Sequence, residues 1–214
     1  MVLAVARKRP LLRGYSHLAA ALIAPFALLA LLLIADSPRA YVGAAVFGAS
    51  LILLFSTSAG YHLLPWPPRV RAFVQRVDHS MIFVAVTGMY VPFCLQAMPM
   101  AWGISVLSVI GGLALAGIVL KQAWFTAPRW LGVTTYVAVG WTAIVAIPAL
   151  ELGGWSMALL AASGLLYTVG AVCFATGRPR LAPSVFGHHE VFHAMVILGT
   201  GLIYGVVSID VLPR

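Results

Sequence analysis

The sequence predicts an all-α membrane protein, a bundle of seven transmembrane helices, from three observations. First, 62% of the 214 residues are hydrophobic and 8% are charged, whereas about a quarter of the residues of a soluble domain are charged. Second, the apolar residues form long runs that charged residues, proline and glycine interrupt. Third, with about 20 residues for each crossing, the chain has room for about seven crossings and leaves no stretch for a separate soluble domain.

Each apolar run is expected to be a helix because a segment in lipid must satisfy its backbone hydrogen bonds internally. The first run ends in the turn DSPRA and the second in PWPP. The region 79–120 has no Asp, Glu, Lys or Arg but is too long for one crossing, so MPM at 98–100 indicates a hairpin. Within the single predicted domain, 1–214, the spans cover residues 15–35, 41–64, 79–97, 101–120, 132–150, 155–175 and 189–210.

Three prolines, Pro25, Pro92 and Pro148, lie inside predicted spans. A proline within a helix removes one backbone hydrogen bond and clashes with the preceding turn. We expect each of the three to kink its helix rather than end it, because the charged or polar loops lie further along the chain.

The distribution of basic residues predicts the orientation of the bundle. If seven helices alternate, eleven of the 13 Lys and Arg residues fall on one side. The positive-inside rule then places the N-terminus in the cytoplasm and the C-terminus outside, in the inner (plasma) membrane of a cell. The same asymmetry accounts for the net charge of +8 without nucleic acid as a partner. The eleven residues are Arg7, Lys8, Arg9, Arg13, Arg69, Arg71, Arg76, Lys121, Arg129, Arg178 and Arg180, and the two opposite them are Arg39 and Arg214.

Polar residues that could carry chemistry recur at one depth of this topology. Ser58 and His62 are four residues apart near the end of the second span, and His189 and His193 are four apart at the start of the seventh. Residues four apart share a helix face. Asp78 opens the third span. Because the second span runs towards the cytoplasm while the third and seventh begin there, His62, Asp78, His189 and His193 all lie near the cytoplasmic boundary of the membrane. Ser58 lies one turn deeper than His62.

Three histidines from two helices at this depth predict a metal centre. Two imidazoles at positions i and i+4 can bind one ion, and a third from a facing helix completes a three-histidine site with water as the fourth ligand. Zinc suits this set best, while iron, nickel and copper also accept imidazole ligands. Asp78 is placed to orient the bound water or a ligand, and Ser58 to do the same or to stabilise an oxyanion.

Plainer explanations apply to the neighbouring polar residues. His17 and His79, at the ends of spans, fit interfacial anchors or helix-end residues. His188 is turned about 100° from His189 on a helix and is expected to face solvent. Glu190 lies near a helix N-terminus, where a carboxylate is favourable, and Asp78 could equally be an N-cap.

Three sequence blocks carry a family resemblance. STSAGYHLL (56–64), DHSMIFVAVTGMYVPF (78–93) and HEVFHAMVILG (189–199) resemble the haemolysin III family, which belongs with the progestin and adipoQ receptors and, more distantly, the alkaline ceramidases. The shared signature is S-x3-H, then Asp, then H-x3-H. The resemblance implies a seven-helix bundle with a cytoplasmic N-terminus and a zinc ion held by His62, His189 and His193, with Asp78 and Ser58 beside it.

The resemblance also implies a class of activity. Animal relatives are linked to lipid-amide hydrolysis or hormone sensing, and bacterial members to membrane-lipid homeostasis. The chain lacks the long N-terminal domain of the animal receptors, which disfavours hormone signalling. We therefore expect a zinc-dependent hydrolase of lipid amide or ester bonds, with a membrane lipid as substrate or ligand.

Two alternatives remain open at the level of sequence. In one, the protein is a membrane-state sensor or regulator in which zinc only joins the helices, as structural zinc sites do. In the other, it is a pore-forming haemolysin. A pore needs a polar stripe along several helices, and the first, fourth and sixth spans offer almost none.

Overall fold

The structure, a computed structural model, describes residues 10–182 and 184–213 and, at residue 129, the backbone alone. Seven helical segments are long and apolar enough to cross a membrane, and the part of the chain described contains no β-strand. The prediction of an all-α seven-helix bundle is confirmed. Arg7, Lys8, Arg9 and Arg214, used above to orient the bundle, lie outside the described residues, and the orientation stays a prediction.

The seven crossings are built from eight α-helices. α5, α6 and a following 3₁₀ turn together form the fifth crossing, while a π-helical turn extends the last one. The helices are α1 (Tyr15–Ile34), α2 (Pro38–Leu63), α3 (Pro68–Gln96), α4 (Met100–Ala123), α5 (Arg129–Trp141), α6 (Ala143–Ala146, then the 3₁₀ turn Ile147–Ala149), α7 (Gly154–Thr176) and α8 (His188–Val206, then the π turn Val207–Val211).

Helix α3 begins well before the predicted span. Pro68 occupies its first turn, where proline is favoured because its fixed φ matches the helix and its missing N–H has no helical partner. The arginine-bearing first turns then precede the apolar part of the helix. Asp78 therefore lies inside a helix, and the N-cap explanation for this residue is wrong.

The three prolines behave differently. Pro25 and Pro92 lie inside continuous helices, as predicted. The fifth crossing instead leaves α-helical geometry at Thr142 and ends in the 3₁₀ turn that contains Pro148, so the expected simple kink there is wrong. Pro148 cannot donate the backbone hydrogen bond that an α-helix requires. Just before the break at Thr142, the Tyr90 hydroxyl donates a hydrogen bond to the carbonyl of Gly140 (2.6 Å).

The helices pack in a ring with α2 and α3 as its most buried members. α1 packs against α2 and also contacts α8, which closes the ring through α7. The outer faces carry large exposed side chains such as Phe26, Leu33 and Leu115, the composition expected of a lipid-facing surface. Where α2 and α3 approach most closely, a side chain at Gly88 would overlap Ser50, so a small residue is required there.

Candidate metal centre

The structure brings together His62 from the last turn of α2 and two histidines from the start of α8. The ring nitrogens of His62, His189 and His193 that could act as ligands all lie within 4.8 Å of one another. The Nε2 atoms of His62 and His189 are 3.1 Å apart. Two ligands of a tetrahedral zinc ion at Zn–N distances of about 2.0–2.1 Å are separated by about 3.3 Å, so this pair is already spaced as ligands of one ion.

The two helices that carry these histidines reach the centre from opposite chain directions. α2 ends at Leu63 and α8 begins at His188, so both place their histidines at the same end of the bundle. On α8, the i, i+4 spacing of His189 and His193 puts both rings on one face, with centroids 4.5 Å apart. The backbones of α2 and α8 otherwise approach each other at few points, and Phe47 and Tyr204 form a further ring contact between them, with centroids 6.5 Å apart.

The donor set fits a borderline metal ion. Neutral imidazole nitrogens are typical ligands of zinc, and also of iron, nickel and copper. His193 is 3% exposed, and its Nδ1 atom has no hydrogen-bond partner among the described residues. A buried, unpaired ring nitrogen is costly in a protein interior. These three residues could therefore hold one metal ion, as the sequence predicted from their spacing and depth.

Asp78 and Ser58 lie close to this group without belonging to it. Both line the same cavity as the three histidines, and the Ser58 side chain is within interaction range of the Asp78 carboxyl group. Among the described residues, neither is part of the set of ligand atoms that could share an ion. Their place is in the cavity wall beside the histidines.

A fourth histidine, His17 of α1, belongs to the cluster, and the expectation of an interfacial anchor is wrong. His17 is 3% exposed, and its ring lies parallel to that of His193 with centroids 3.7 Å apart. The ring also meets Phe55 in an edge-type contact with centroids 5.2 Å apart. Neither ring nitrogen has a partner among the described residues. The sequence offered no signal for this contact, because His17 lacks an i+4 partner of similar chemistry.

The segment that leads into α1 lies across the same centre. The backbone N–H groups of Leu11 and Leu12 donate to the carbonyls of Ser184 and Val185 at 3.0 and 3.2 Å, so the segment is tied to the loop before α8. Gly14, with φ +90°, packs so tightly that a Cβ atom would lie 2.7 Å from Cβ of His62. We call residues 10–14 the N-terminal strap.

Glu190 fastens the strap to the start of α8. One carboxylate oxygen accepts a hydrogen bond from the Gly187 N–H (2.7 Å), and the other pairs with Nε of Arg13 at 2.8 Å. The Glu190 side chain is 3% exposed and that of Arg13 is 22% exposed. The favourable interaction with the helix N-terminus predicted for Glu190 is present, but the carboxylate also joins two distant segments next to the histidines.

His188 and His79 have other surroundings. His188 is partly exposed and lines the cavity, outside the group of three. His79 stacks on Phe125 with ring centroids 5.6 Å apart and also lines the cavity. It is therefore partly buried, and its role as an interfacial anchor stays a prediction.

A large cavity of about 1420 Å³ opens beside the histidines and runs along the inside of the bundle. Typical sites for small molecules have volumes of about 300–1,000 Å³, so this one has room for a lipid-sized molecule. Its far wall is apolar and is formed at the opposite ends of the helices. That wall includes Phe93, Met98, Leu150 and Met157.

Comparisons with known proteins agree with the resemblance of the three sequence blocks. Residues 5–204 match the family profile described as Haemolysin-III related. Hemolysin-3 of Bacillus cereus is 33% identical over 180 residues, 81% of this chain and 77% of that protein. Hemolysin-3 homolog of Bacillus subtilis (strain 168) is 30% identical over 163 residues, 74% of this chain and 72% of that protein.

A plant protein extends the similarity to the wider superfamily. Heptahelical transmembrane protein ADIPOR2 of Oryza sativa subsp. japonica is 28% identical over 187 residues, 78% of this chain and 80% of that protein. That protein is named as heptahelical, which agrees with the seven crossings found here. This chain therefore belongs to the haemolysin III family of multi-pass membrane proteins.

Proposed function

We propose that this protein is a zinc-dependent hydrolase that cleaves an amide or ester bond of a membrane lipid. The observation that carries the proposal is three convergent imidazoles that face a lipid-sized cavity with a carboxylate in its wall. Catalytic zinc sites keep three protein ligands and one open position, whereas structural sites are closed by four. Among the described residues, the group that could hold an ion contains three ligand side chains.

Each residue has a definite role in this proposal. His62, His189 and His193 hold the ion as neutral imidazoles. A zinc ion in such a site supplies Lewis acidity to a carbonyl oxygen and lowers the pKa of a coordinated water molecule. Asp78 would orient the attacking water, accept its proton and return that proton to the leaving amine nitrogen or alcohol oxygen as the C–N or C–O bond breaks. Ser58, close to Asp78, would position that carboxylate or donate to the developing oxyanion. The apolar cavity holds the acyl chain and excludes bulk water.

Metal analysis of the purified protein is the first test. We expect about one zinc ion per chain in the wild type and almost none in His62→Ala or His193→Ala. His188→Ala is the matched control, since it removes an imidazole next to His189 on the same helix but outside the group of three. Equal zinc in His62→Ala and wild type would refute the site.

Lipid turnover is the second test. The purified protein is incubated with ceramide-like and other N-acyl or O-acyl lipids, and released fatty acid is measured. We expect Asp78→Ala to retain zinc and lose turnover by about 10²-fold or more, as for removal of a general base. Hydrolysis that survives both Asp78→Ala and His193→Ala would exclude this mechanism.

A regulator with structural zinc is the second candidate, and one observation favours it. The backbones of α2 and α8 approach each other at few points, so an ion held by histidines of both helices would join two elements that have little other backbone contact. Under this alternative, the histidine variants lose thermal stability, and Asp78→Ala has no activity to lose. A lipid panel with no turnover by zinc-loaded wild type would favour it.

The site is proposed to lie near the cytoplasmic face of the plasma membrane. Support comes from the four helix ends that meet at the histidines: α2 and α4 end there, and α3 and α8 begin there. Basic residues flank these ends, and the positive-inside rule assigns such ends to the cytoplasm. Arg71 and Lys121 are examples on α3 and α4.

A further inference from the structure

The charge of the cavity is concentrated at the end that holds the histidines. Four basic side chains line it there, from the N-terminal strap, the start of α3, the end of α4 and the loop before α8. The carboxylate among the described lining residues is that of Asp78. The opposite end is apolar, so the cavity has the polarity of an amphiphile. The basic residues are Arg13, Arg71, Lys121 and Arg180.

Two of these cations lie over aromatic rings and have no ion pair with a carboxylate in the described part of the chain. Cζ of Arg71 lies 4.8 Å from the ring centroid of Tyr61, and Nζ of Lys121 lies 5.1 Å from that of Phe125. A cation–π contact holds a charge in place without cancelling it. Arg13 differs, since its charge is balanced by Glu190 at 2.8 Å. Arg71 and Lys121 therefore keep uncompensated positive charge at the cavity wall.

Two further polar side chains contact the same Phe125 ring as Lys121. The guanidinium carbon of Arg76 lies 5.2 Å from the same ring centroid, and His79 stacks on the ring at 5.6 Å. Nδ1 of His79 is buried and has no hydrogen-bond partner among the described residues. Lys121 and His79 line the cavity at this ring, whereas Arg76 is exposed and lies outside the lining. The ammonium group in the wall, with a second cation close behind it, suits an anion.

Membrane topology alone does not explain this arrangement. The positive-inside rule requires basic residues near the cytoplasmic ends of helices, but it does not require them to line an interior cavity. Arg69 shows the difference, because it lies in the first turn of α3, is exposed and does not line the cavity. Arg71, two residues further along the helix, does line it.

We propose that the mouth of this cavity, between Arg71 and Lys121, binds the anionic headgroup of an acyl lipid whose chain occupies the apolar part of the cavity. The chemical class is a lipid with a phosphate or carboxylate group, as opposed to a neutral one. The claim that this lipid is the substrate depends on the proposed hydrolase function. The claim that the lipid binds does not depend on it. An anionic headgroup and free phosphate offer the same chemical group to the site. The experiment below distinguishes binding of the lipid from binding of inorganic phosphate.

Binding is measured on the purified full-length protein in a neutral detergent, with three ligands. They are dioctanoyl phosphatidylglycerol, dioctanoylglycerol with the same chains and no charge, and inorganic phosphate. We expect the wild type to bind the anionic lipid at least tenfold more tightly than the other two. Equal affinity for the two lipids would overturn the anionic site, and equal affinity for inorganic phosphate would overturn the lipid assignment.

Variants locate the site. We expect Arg71→Gln and Lys121→Gln each to weaken binding of the anionic lipid about fivefold, as for loss of one basic residue near an anionic headgroup. Arg69→Gln, the matched control, leaves the affinity unchanged. Two substitutions on different helices keep the test valid if one variant misfolds. An equal loss in Arg69→Gln and Lys121→Gln would assign the effect to general surface charge and refute the site.

The zinc content of every variant is measured in parallel. Arg71→Gln and Lys121→Gln are expected to retain the wild-type zinc content, since neither residue is among the three histidines. If the wild type contains no zinc but binds the anionic lipid selectively, the hydrolase proposal fails while this one stands. If zinc is present and the two lipids bind equally, the proposed lipid site fails while the hydrolase proposal stands.

Discussion

The imidazole of His17 lies flat against that of His193, with ring centroids 3.7 Å apart and ring planes 5° apart. His17 is not among the three histidines whose ring nitrogens could share one ion. His17 also contacts Phe55, and we expect it to hold the orientation of the His193 ring. The contact gives α1 a direct influence on the centre.

His17→Ala is expected to weaken zinc affinity by about tenfold, at the lower end of the 10–100-fold found for residues that orient metal ligands. His17→Phe keeps a stacked ring without nitrogens and is expected to bind zinc nearly as well as the wild type. Competition with a chromophoric chelator measures both. If Phe and Ala are equally damaging, the ring nitrogens of His17 matter and stacking does not explain its role.

Gly14→Ala is expected to impair both stability and zinc binding. Its φ of +90° is unfavourable for any residue with a Cβ atom, and the new methyl group would lie 2.7 Å from Cβ of His62. The backbone cost alone is about 1–2 kcal/mol.

Gly177→Ala is the matched control for this substitution. Gly177 also has a positive φ, of +68°, but nothing lies within 4 Å of its Cβ position. Gly177→Ala should show the loss of stability due to the backbone alone, smaller than that of Gly14→Ala, and keep its zinc affinity. Equal zinc affinity in the Gly14 and Gly177 variants would show that the strap does not position His62.

Arg13→Leu is expected to destabilise the protein by about 3 kcal/mol, because it leaves the carboxylate of Glu190 buried without its cation. The double variant Arg13→Leu/Glu190→Gln removes that charge as well, and its amide oxygen can still accept the hydrogen bond from Gly187. We therefore expect the double variant to melt at a higher temperature than the single one. If the two melt together, the ion pair contributes little and the strap is held by its backbone contacts.

Removal of zinc by a chelator is expected to lower the thermal stability of the wild type. A ligand that binds the folded state alone stabilises it by about 2.7 kcal/mol at 100 times its Kd. Melting curves with and without added zinc measure the effect, and the His62→Ala protein should show no response. A zinc response that persists in His62→Ala would place the ion elsewhere.

Cysteine labelling tests the predicted orientation. In a background without Cys94 and Cys173, Arg39→Cys is expected to react with a membrane-impermeant maleimide in intact cells. Arg69→Cys should react after the cells are permeabilised. The reversed pattern would move the histidine end of the bundle to the outside of the cell.

Much of the site could be predicted from sequence because depth in a membrane is encoded along the chain. A helix rises about 1.5 Å per residue, so the position of a residue within an apolar run gives its height. His62, His189 and His193 were placed at one level in this way, and the structure brings them together. The break at Thr142 was not predicted, because the neighbouring residues are as apolar as those of an unbroken span.

By itself the sequence determined the number of crossings, the height of each polar residue and the face that i, i+4 pairs share. These are properties of single helices in a membrane and follow from local hydrophobicity and helical period. Only the tertiary structure decided which helices are neighbours and how each is turned about its axis. Contacts such as His17 on His193 and Arg13 with Glu190 depend on this arrangement of the helices. Side-chain packing between helices determines it, and no local sequence pattern predicts it.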